Sequence, residues 1–440
     1  MIRKGLLSFA LIPVLLASVA AQTSEPRIVN GDVTASYPQV GVLLLFRDST
    51  WSTISGFCSG TLIGCRSFLT AAHCVCPEET FDARSCQRRG LTDVGRMAVF
   101  FPNVGLVAVA ATSIHPEYSF AESSDLGLVT LAADASGIAP AAINFDGSPA
   151  AGTPAHIVGF GVTRGDLADG GLKRVGKATV AACAADLPEE QLVCWNFNGS
   201  ESNICGGDSG GPLFLASGAS EVLAGVSSGG SDDFCMAPDS PFDTDVFVNR
   251  SWVQKAVGAD LGSSCGAGVV EPLLEATGTL EQGDREISLS LDVPADTAEL
   301  RVGLNGTFWN DSGFASIPVD FDLQVSGPDG VVCRDQTATV LGFCSIPSPA
   351  AGPWSVTVTR VQGQGGYQLT ASGLVDATAA CAGDCDEDGN VTVDEVVEGI
   401  NIALGVDGVV QCRRLDGNGD GNITVDEILT AIGHALTGCS

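Results

Sequence analysis

The sequence predicts a mainly β protein that closes on a small helical module. Short apolar runs separated by Gly- and Pro-bearing turns fill the first part of the chain. A second set of runs alternates apolar and polar residues at regular spacing. The acidic C-terminal segment then repeats one pattern twice, as GDCDEDGNVTVDEVVEGINIAL and LDGNGDGNITVDEILTAIGHAL. A length of 440 residues allows two or three domains.

The chain starts MIRKGLLSFALIPVLLASVAA, with Arg3 and Lys4 ahead of an apolar run that ends in small residues. That pattern reads as a signal peptide over residues 1–21 and implies a secreted, extracellular protein. No later stretch is apolar for long enough to span a bilayer. The sixteen cysteines are an even count, and export permits disulfides. A net charge of -31 repels nucleic acid and anionic membranes. Hydrophobic content of 45% with 55 glycines favours folded, loop-rich β structure over an acidic disordered chain.

The first β runs are VGVLLLF (Val40–Phe46), RMAVFF (Arg96–Phe101), LVAVAA (Leu106–Ala111), LGLVTL (Leu126–Leu131) and VLAGVSS (Val222–Ser228). They predict a barrel or sandwich, followed by a short helix over SWVQKAVG (Ser251–Gly258). The second set is REISLSLDV, AELRVGLNG, DFDLQVSG, WSVTVTRV and YQLTASG. Its natural solution is a β-sandwich over residues 275–375. The repeat module spans residues 381–440.

ICGGDSGGPL raises the question of chemistry. Its glycines permit tight turns around Ser209. A serine hydroxyl is a weak nucleophile without a base. Of four histidines, His73 in FLTAAHC has the most distinctive setting; His115, His156 and His434 lack a comparable motif. Asp125 in SSDLGLVTL precedes an apolar strand, where it could face inward and orient the imidazole.

These segments together resemble the secreted trypsin/chymotrypsin-like serine proteases. CSGTLIGCRSFLTAAHC is similar to the family's histidine segment, HPEYSFAESSDLGLVTL to its aspartate segment and CGGDSGGPL to its nucleophile segment, in the family's order. The resemblance implies a two-β-barrel domain over residues 28–265. It implies an endopeptidase with catalytic His73, Asp125 and Ser209, acting through an acyl-enzyme on protein or peptide substrates, with no cofactor for the chemistry. The Gly207 and Ser209 backbone N–H groups would form the oxyanion hole. The alternative is a non-catalytic homologue that binds ligands or attaches to a scaffold. PRIVNG resembles the family's activation junction. It implies a zymogen with a pro-segment over residues 22–27. An activating protease would cut after Arg27, and the freed Ile28 amine would pair with Asp208.

For the specificity pocket the resemblance marks Asn203, Ser227, Ser228, Gly229 and Asp245. Asn203 stands where trypsin-like members carry an aspartate. Two readings follow: a preference for Arg or Lys with Asp245 as counter-charge, or a polar or medium-sized residue with Asp245 in solvent. The resemblance also implies disulfides Cys58–Cys74, Cys183–Cys194 and Cys205–Cys235. Cys76–Cys86 is the local pairing that would leave Cys65 for Cys265, and Cys333–Cys344 could close a loop in the second region.

DFDLQVSGP and AGPWSVTVTRVQGQGGYQL resemble the bacterial pre-peptidase C-terminal type of accessory domain. In the tail, Asp384, Asp386, Asp388, Asn390, Thr392 and Glu395 occupy positions one, three, five, seven, nine and twelve of a loop. Asp416, Asn418, Asp420, Asn422, Thr424 and Glu427 repeat the spacing. Hard oxygens so spaced can wrap Ca²⁺. The module resembles EF-hands and dockerins, which implies Ca²⁺ binding and a scaffold or surface partner.

Overall fold

The computed structural model describes residues 28–217, 220–266, 268–311, 316–376, 382–385, 391–404, 412, 415 and 423–437. The expected signal peptide and the expected pro-segment, Arg27 included, lie outside them.

Six strands close a barrel in the order Val40–Phe46, Ile54–Leu62, Ser67–Thr70, Gly127–Leu131, Gly105–Ile114 and Met97–Phe101. Four of these strands take up runs read in the sequence; Ile54–Leu62 and Ser67–Thr70 are not among those runs. Val42 pairs with Ser59 on one side and Phe100 on the other, and Val129 pairs with Phe68. Val40, Val42, Leu44, Phe68, Val99 and Phe100 are fully buried in one cluster. A closed sheet leaves no edge strand to pair with another chain.

The next sheet runs Asp32–Val33, Arg174–Ala181, Leu192–Trp195, Phe242–Asp245, Ser220–Gly229, Pro212–Ser217 and Pro154–Gly159. Pro154–Gly159 also pairs with Arg174–Ala181, so the order returns on itself. Ile28, Ile157, Val193, Trp195 and Leu213 form its apolar centre. The helix expected from Ser251 starts earlier and spans Val246–Val257. The Asp245 carboxylate accepts the Val248 N–H and caps it. A short helix that the strand pattern did not anticipate, Ala83–Arg89, is closed by an Asp82–Ser85 capping box.

Two four-stranded antiparallel sheets follow. One runs Gly268–Leu280, Gly365–Asp376, Thr297–Gly306 and Gly342–Pro347. The other runs Glu286–Val293, Gly352–Gln362, Asp320–Gly327 and Gly330–Asp335. The first strand begins at Gly268, ahead of the boundary expected at 275, because it pairs along the whole of Gly365–Asp376. Leu300, Val302 and Leu304 of one sheet and Leu323, Val325, Val356 and Val358 of the other are fully buried in one cluster.

These sheets lie directly against the preceding domain. Arg301 is buried and donates to the Ser136 carbonyl at 2.6 Å, with Glu299 beside it at 3.0 Å. Asn305 donates to the Gly171 carbonyl, and Gln368 donates to that of Thr34. Gly303 is glycine for a reason of space: a Cβ there would meet the Pro102 carbonyl oxygen at 1.9 Å. Helices Val393–Ala403 and Val425–Thr437 close the chain over a small core of Val391, Ile402, Leu415, Ile423 and Ala431.

Disulfide bonds join Cys58–Cys74, Cys65–Cys265, Cys76–Cys86, Cys183–Cys194, Cys205–Cys235, Cys333–Cys344 and Cys385–Cys412. Among the described residues no helix is long and apolar enough to cross a membrane.

Candidate active site

The strand Ser67–Thr70 ends in a short 3-10 turn, Ala72–Cys74, that carries His73. The Cys58–Cys74 bond ties that turn to the neighbouring strand. Asp125 stands just before the strand Gly127–Leu131, and its side chain is 2% exposed. One of its oxygens accepts the His73 backbone N–H at 3.0 Å; the other lies 2.7 Å from His73 Nδ1. The latter also accepts the Ser228 hydroxyl at 2.7 Å. Burial works against the Asp125 charge, yet the His73 imidazole and these hydrogen bonds hold its carboxyl below the ordinary range. Burial likewise opposes a charged His73, but Asp125 overrides it and raises the imidazole above its usual 6.5. A carboxylate in that place fixes the proton on Nδ1 and leaves Nε2 to act as a base. Phe120 packs edge-on against the His73 ring.

The loop bearing Ser209 lies between two strands. The Ser59 N–H donates to the Ser209 carbonyl at 2.8 Å, and the Gly210 N–H donates to that of Ser227 at 2.7 Å. Cys74 Sγ lies 3.7 Å from the Ser209 carbonyl oxygen, so the His73 turn and the Ser209 loop are neighbours. Gly207 and Gly210 hold φ of 95° and 81°, which side-chain-bearing residues rarely adopt. The Ser59 hydroxyl accepts the Phe160 N–H and donates to the Gly207 carbonyl, each at 2.9 Å. Ser59 sits beside Cys58 in CSGTL, and nothing in the sequence marks its role.

Asp208 is buried and accepts N–H groups from Gly161 at 2.7 Å and Cys205 at 2.9 Å. Burial pushes its carboxyl up to about 7, against those N–H groups and the Arg174 charge. Gly161 must be glycine, since a Cβ would sit 2.5 Å from the Asp208 carboxyl carbon. Ile28 is fully buried, and Val29 bridges to Asn203.

Asn203 is fully buried, and Ser227, Ser228 and Gly229 follow one another on the strand Ser220–Gly229. Asp245 does not join them. Its carboxylate caps the helix Val246–Val257, and its N–H donates to the Gln191 carbonyl. Register explains the difference: Asp245 pairs with Gly225, ahead of Ser227, Ser228 and Gly229. The acid beside Asn203 is Asp239, which accepts the Asn203 amide at 2.8 Å. Its other oxygen takes the Ser231, Asp232 and Ser240 N–H groups and the Ser231 hydroxyl. Asp239 lies in the long CMAPDSPF segment, where no sequence register could single it out. Asp243, across from Ser227, is also buried. Burial, opposed by Ser227 and aided by Asp208, pushes its carboxyl well above the ordinary range.

Cys58, His73 and Cys74 bring three metal-type donors together, but both sulfurs are spent in a disulfide. In the tail, the Glu395 carboxylate accepts the Cys385 and Thr392 N–H groups. Glu427 accepts the Thr424 N–H and hydroxyl. Asp384 is buried. The expected ligands Asp386, Asp388, Asn390, Asp416, Asn418, Asp420 and Asn422 lie outside the described residues.

Residues 28–253 match the family model described as Trypsin. Among curated relatives, "Trypsin eta" of Drosophila erecta is 27% identical over 267 residues, 55% of this chain and 95% of the relative. "Trypsin" of Saccharopolyspora erythraea is 30% identical over 201 residues, 42% of this chain and 79% of the relative. "Trypsin, alkaline C" of Manduca sexta is 30% identical over 258 residues, 51% of this chain and 90% of the relative. A His–Asp pair with a buried carboxylate next to a glycine-rich serine loop, together with that match, identifies the chain as a trypsin-like serine endopeptidase, a member of the trypsin family.

Proposed function

We propose that this endopeptidase cuts peptide bonds by attack of Ser209 on the scissile carbonyl. His73 removes the hydroxyl proton and returns it to the leaving amine, and Asp125 holds the imidazole and offsets its charge. The Gly207 and Ser209 N–H groups receive the developing oxyanion; one such donor is worth roughly 3 kcal/mol. The observation that carries this reading is the 2.7 Å contact of His73 Nδ1 with buried Asp125. The return of the second sheet order on itself supports the two-barrel reading of the domain.

Activation follows from Asp208. A buried carboxylate is costly without a countercharge. Cleavage after Arg27 would turn the Ile28 amide nitrogen into an ammonium, close to where Val29 already bridges Asn203. For the bond cut, Asp239 replaces Asp245 as the acid of the pocket. Its carboxylate, shared with the Asn203 amide, favours Arg or Lys at the cleaved position.

The two later sheets are read as the accessory sandwich and the tail as a paired calcium-loop module. Asp384 and Glu395, both buried, stand at the first and last ligand positions of the first repeat. With Asp386, Asp388, Asn390 and Thr392 they would hold Ca²⁺, which would stabilise the tail and supply nothing to the chemistry.

The test treats the chain, before and after cleavage behind Arg27, with a fluorophosphonate and reads intact mass beside a Ser209→Ala control. One adduct that requires both cleavage and Ser209 is the expected result. A folded, cleaved chain that takes no adduct would refute the catalytic roles.

A further inference from the structure

The sheets after residue 268 reach the Ser209 loop through one aromatic ring. Phe57 lies on the strand Ile54–Leu62, next to Cys58. A Cβ built on Gly207 would fall 2.1 Å from the Phe57 ring, so ring and oxyanion loop are in contact. Phe57 also meets Phe308, with centroids 4.9 Å apart at 71°. Trp309 adds a second contact to Phe57 at 5.9 Å.

Phe308 is itself firmly held. It is 3% exposed. Its N–H donates to the Gly170 carbonyl at 2.9 Å, and its carbonyl accepts the Val319 N–H at 3.0 Å. Gly170 closes the cage, since a Cβ there would come 2.4 Å from Phe57. Edge-to-face ring contacts set the position of a ring more narrowly than aliphatic packing does.

We propose that Phe308 is a positioning residue for catalysis: through Phe57 it fixes the Gly207 segment, so that the C-terminal sheets are a working part of the protease. The proposal rests on the reading of Gly207 as an oxyanion donor. On that reading, a small displacement of Gly207 weakens transition-state binding while leaving the acyl-side pocket of Asn203, Asp239 and Ser227 untouched. The Ser59 bond to the Gly207 carbonyl and the edge-to-face ring contact both hold this segment.

The test uses the full, cleaved chain and compares wild type with Phe308→Ala and Phe308→Leu. The readouts are kcat, KM, affinity for a peptide boronate that forms a tetrahedral adduct, and affinity for a small cationic competitor of the pocket. Removing a donor outright costs ~10²–10³ in kcat, so loosening one is expected to cost about tenfold. Boronate affinity should fall in parallel, with KM and competitor binding within about twofold and Phe308→Leu recovering part of the loss. Unchanged kcat and boronate affinity in folded Phe308→Ala would overturn the proposal. So would equal losses in competitor binding, which mark a general loosening. If Phe308→Ala does not fold, Phe57→Leu carries the same readouts, and its unchanged kcat overturns the proposal. A wild-type chain that neither cleaves peptides nor takes a fluorophosphonate refutes the parent reading instead.

Discussion

Asp208 makes the stability of the uncleaved chain depend on pH in a direction opposite to that of most carboxylates. With Arg27 still attached, the Ile28 nitrogen is a neutral amide. Burial moves the Asp208 carboxyl from 3.8 to about 7. The folded state then binds the proton more tightly than the unfolded state, so stability falls as pH rises through that window. At one pKa unit per 1.36 kcal/mol, the loss above about pH 7 is roughly 4 kcal/mol. For a domain of this size that corresponds to about 10 °C in melting temperature. The comparison uses Arg27→Gln, which blocks cleavage, with and without Asp208→Asn, melted at pH 4.5 and 7.5. The single variant should lose about 10 °C more between the two pH values than the double variant, which has no proton to release. On the activation proposed above, cleaved wild type should regain the difference, because the Ile28 ammonium would neutralise Asp208. Equal pH dependence in the single and double variants would refute the reasoning.

The other expectations concern the pocket, the base and the tail. Asp239→Asn should lower kcat/KM on Arg and Lys substrates by about a hundredfold, the scale of a lost buried charge pair, while a neutral-side-chain ester changes far less. Equal losses on both would remove Asp239 from the pocket. Because Asp125 raises His73 above 6.5, and only the neutral imidazole accepts a proton, activity should fall on the acid side with a midpoint above 6.5. Ser228→Ala removes a hydrogen bond from the Asp125 carboxylate and should cut kcat by about tenfold, the equivalent of ~1.5 kcal/mol; an unchanged kcat would mean that Ser228 only fills space. Chelation should expose residues after 381 to a non-specific protease and leave peptide cleavage intact, since clustered carboxylates repel without a cation. Identical digestion patterns with and without chelator would count against calcium in the tail.

Much of the fold was legible in local patterns. The apolar runs at Val40–Phe46 and Leu126–Leu131 became barrel strands, because half-buried and buried strands leave a direct mark on residue choice. The glycines around Ser209 were legible for a similar reason: φ values of 95° and 81° restrict what can stand there. The short helix at Ala83–Arg89 was not, because about two turns carry too little periodicity. Asp245 misled because its neighbours TDVF look like a pocket strand, and only strand pairing reveals that it sits opposite Gly225 and caps a helix.

The sequence by itself determined the family, the order of His73, Asp125 and Ser209, and the residues that need special backbone angles. These depend on short segments whose chemistry is local. The tertiary structure alone decided that Asp239 stands beside Asn203 and that Ser228 shares the Asp125 carboxylate. It alone decided that Phe308 reaches the Ser209 loop through Phe57. Each joins residues distant in the chain, and their placement follows from strand register and domain packing. A shift of one residue in register turns a side chain to the other face of a sheet, so no local pattern could have settled them.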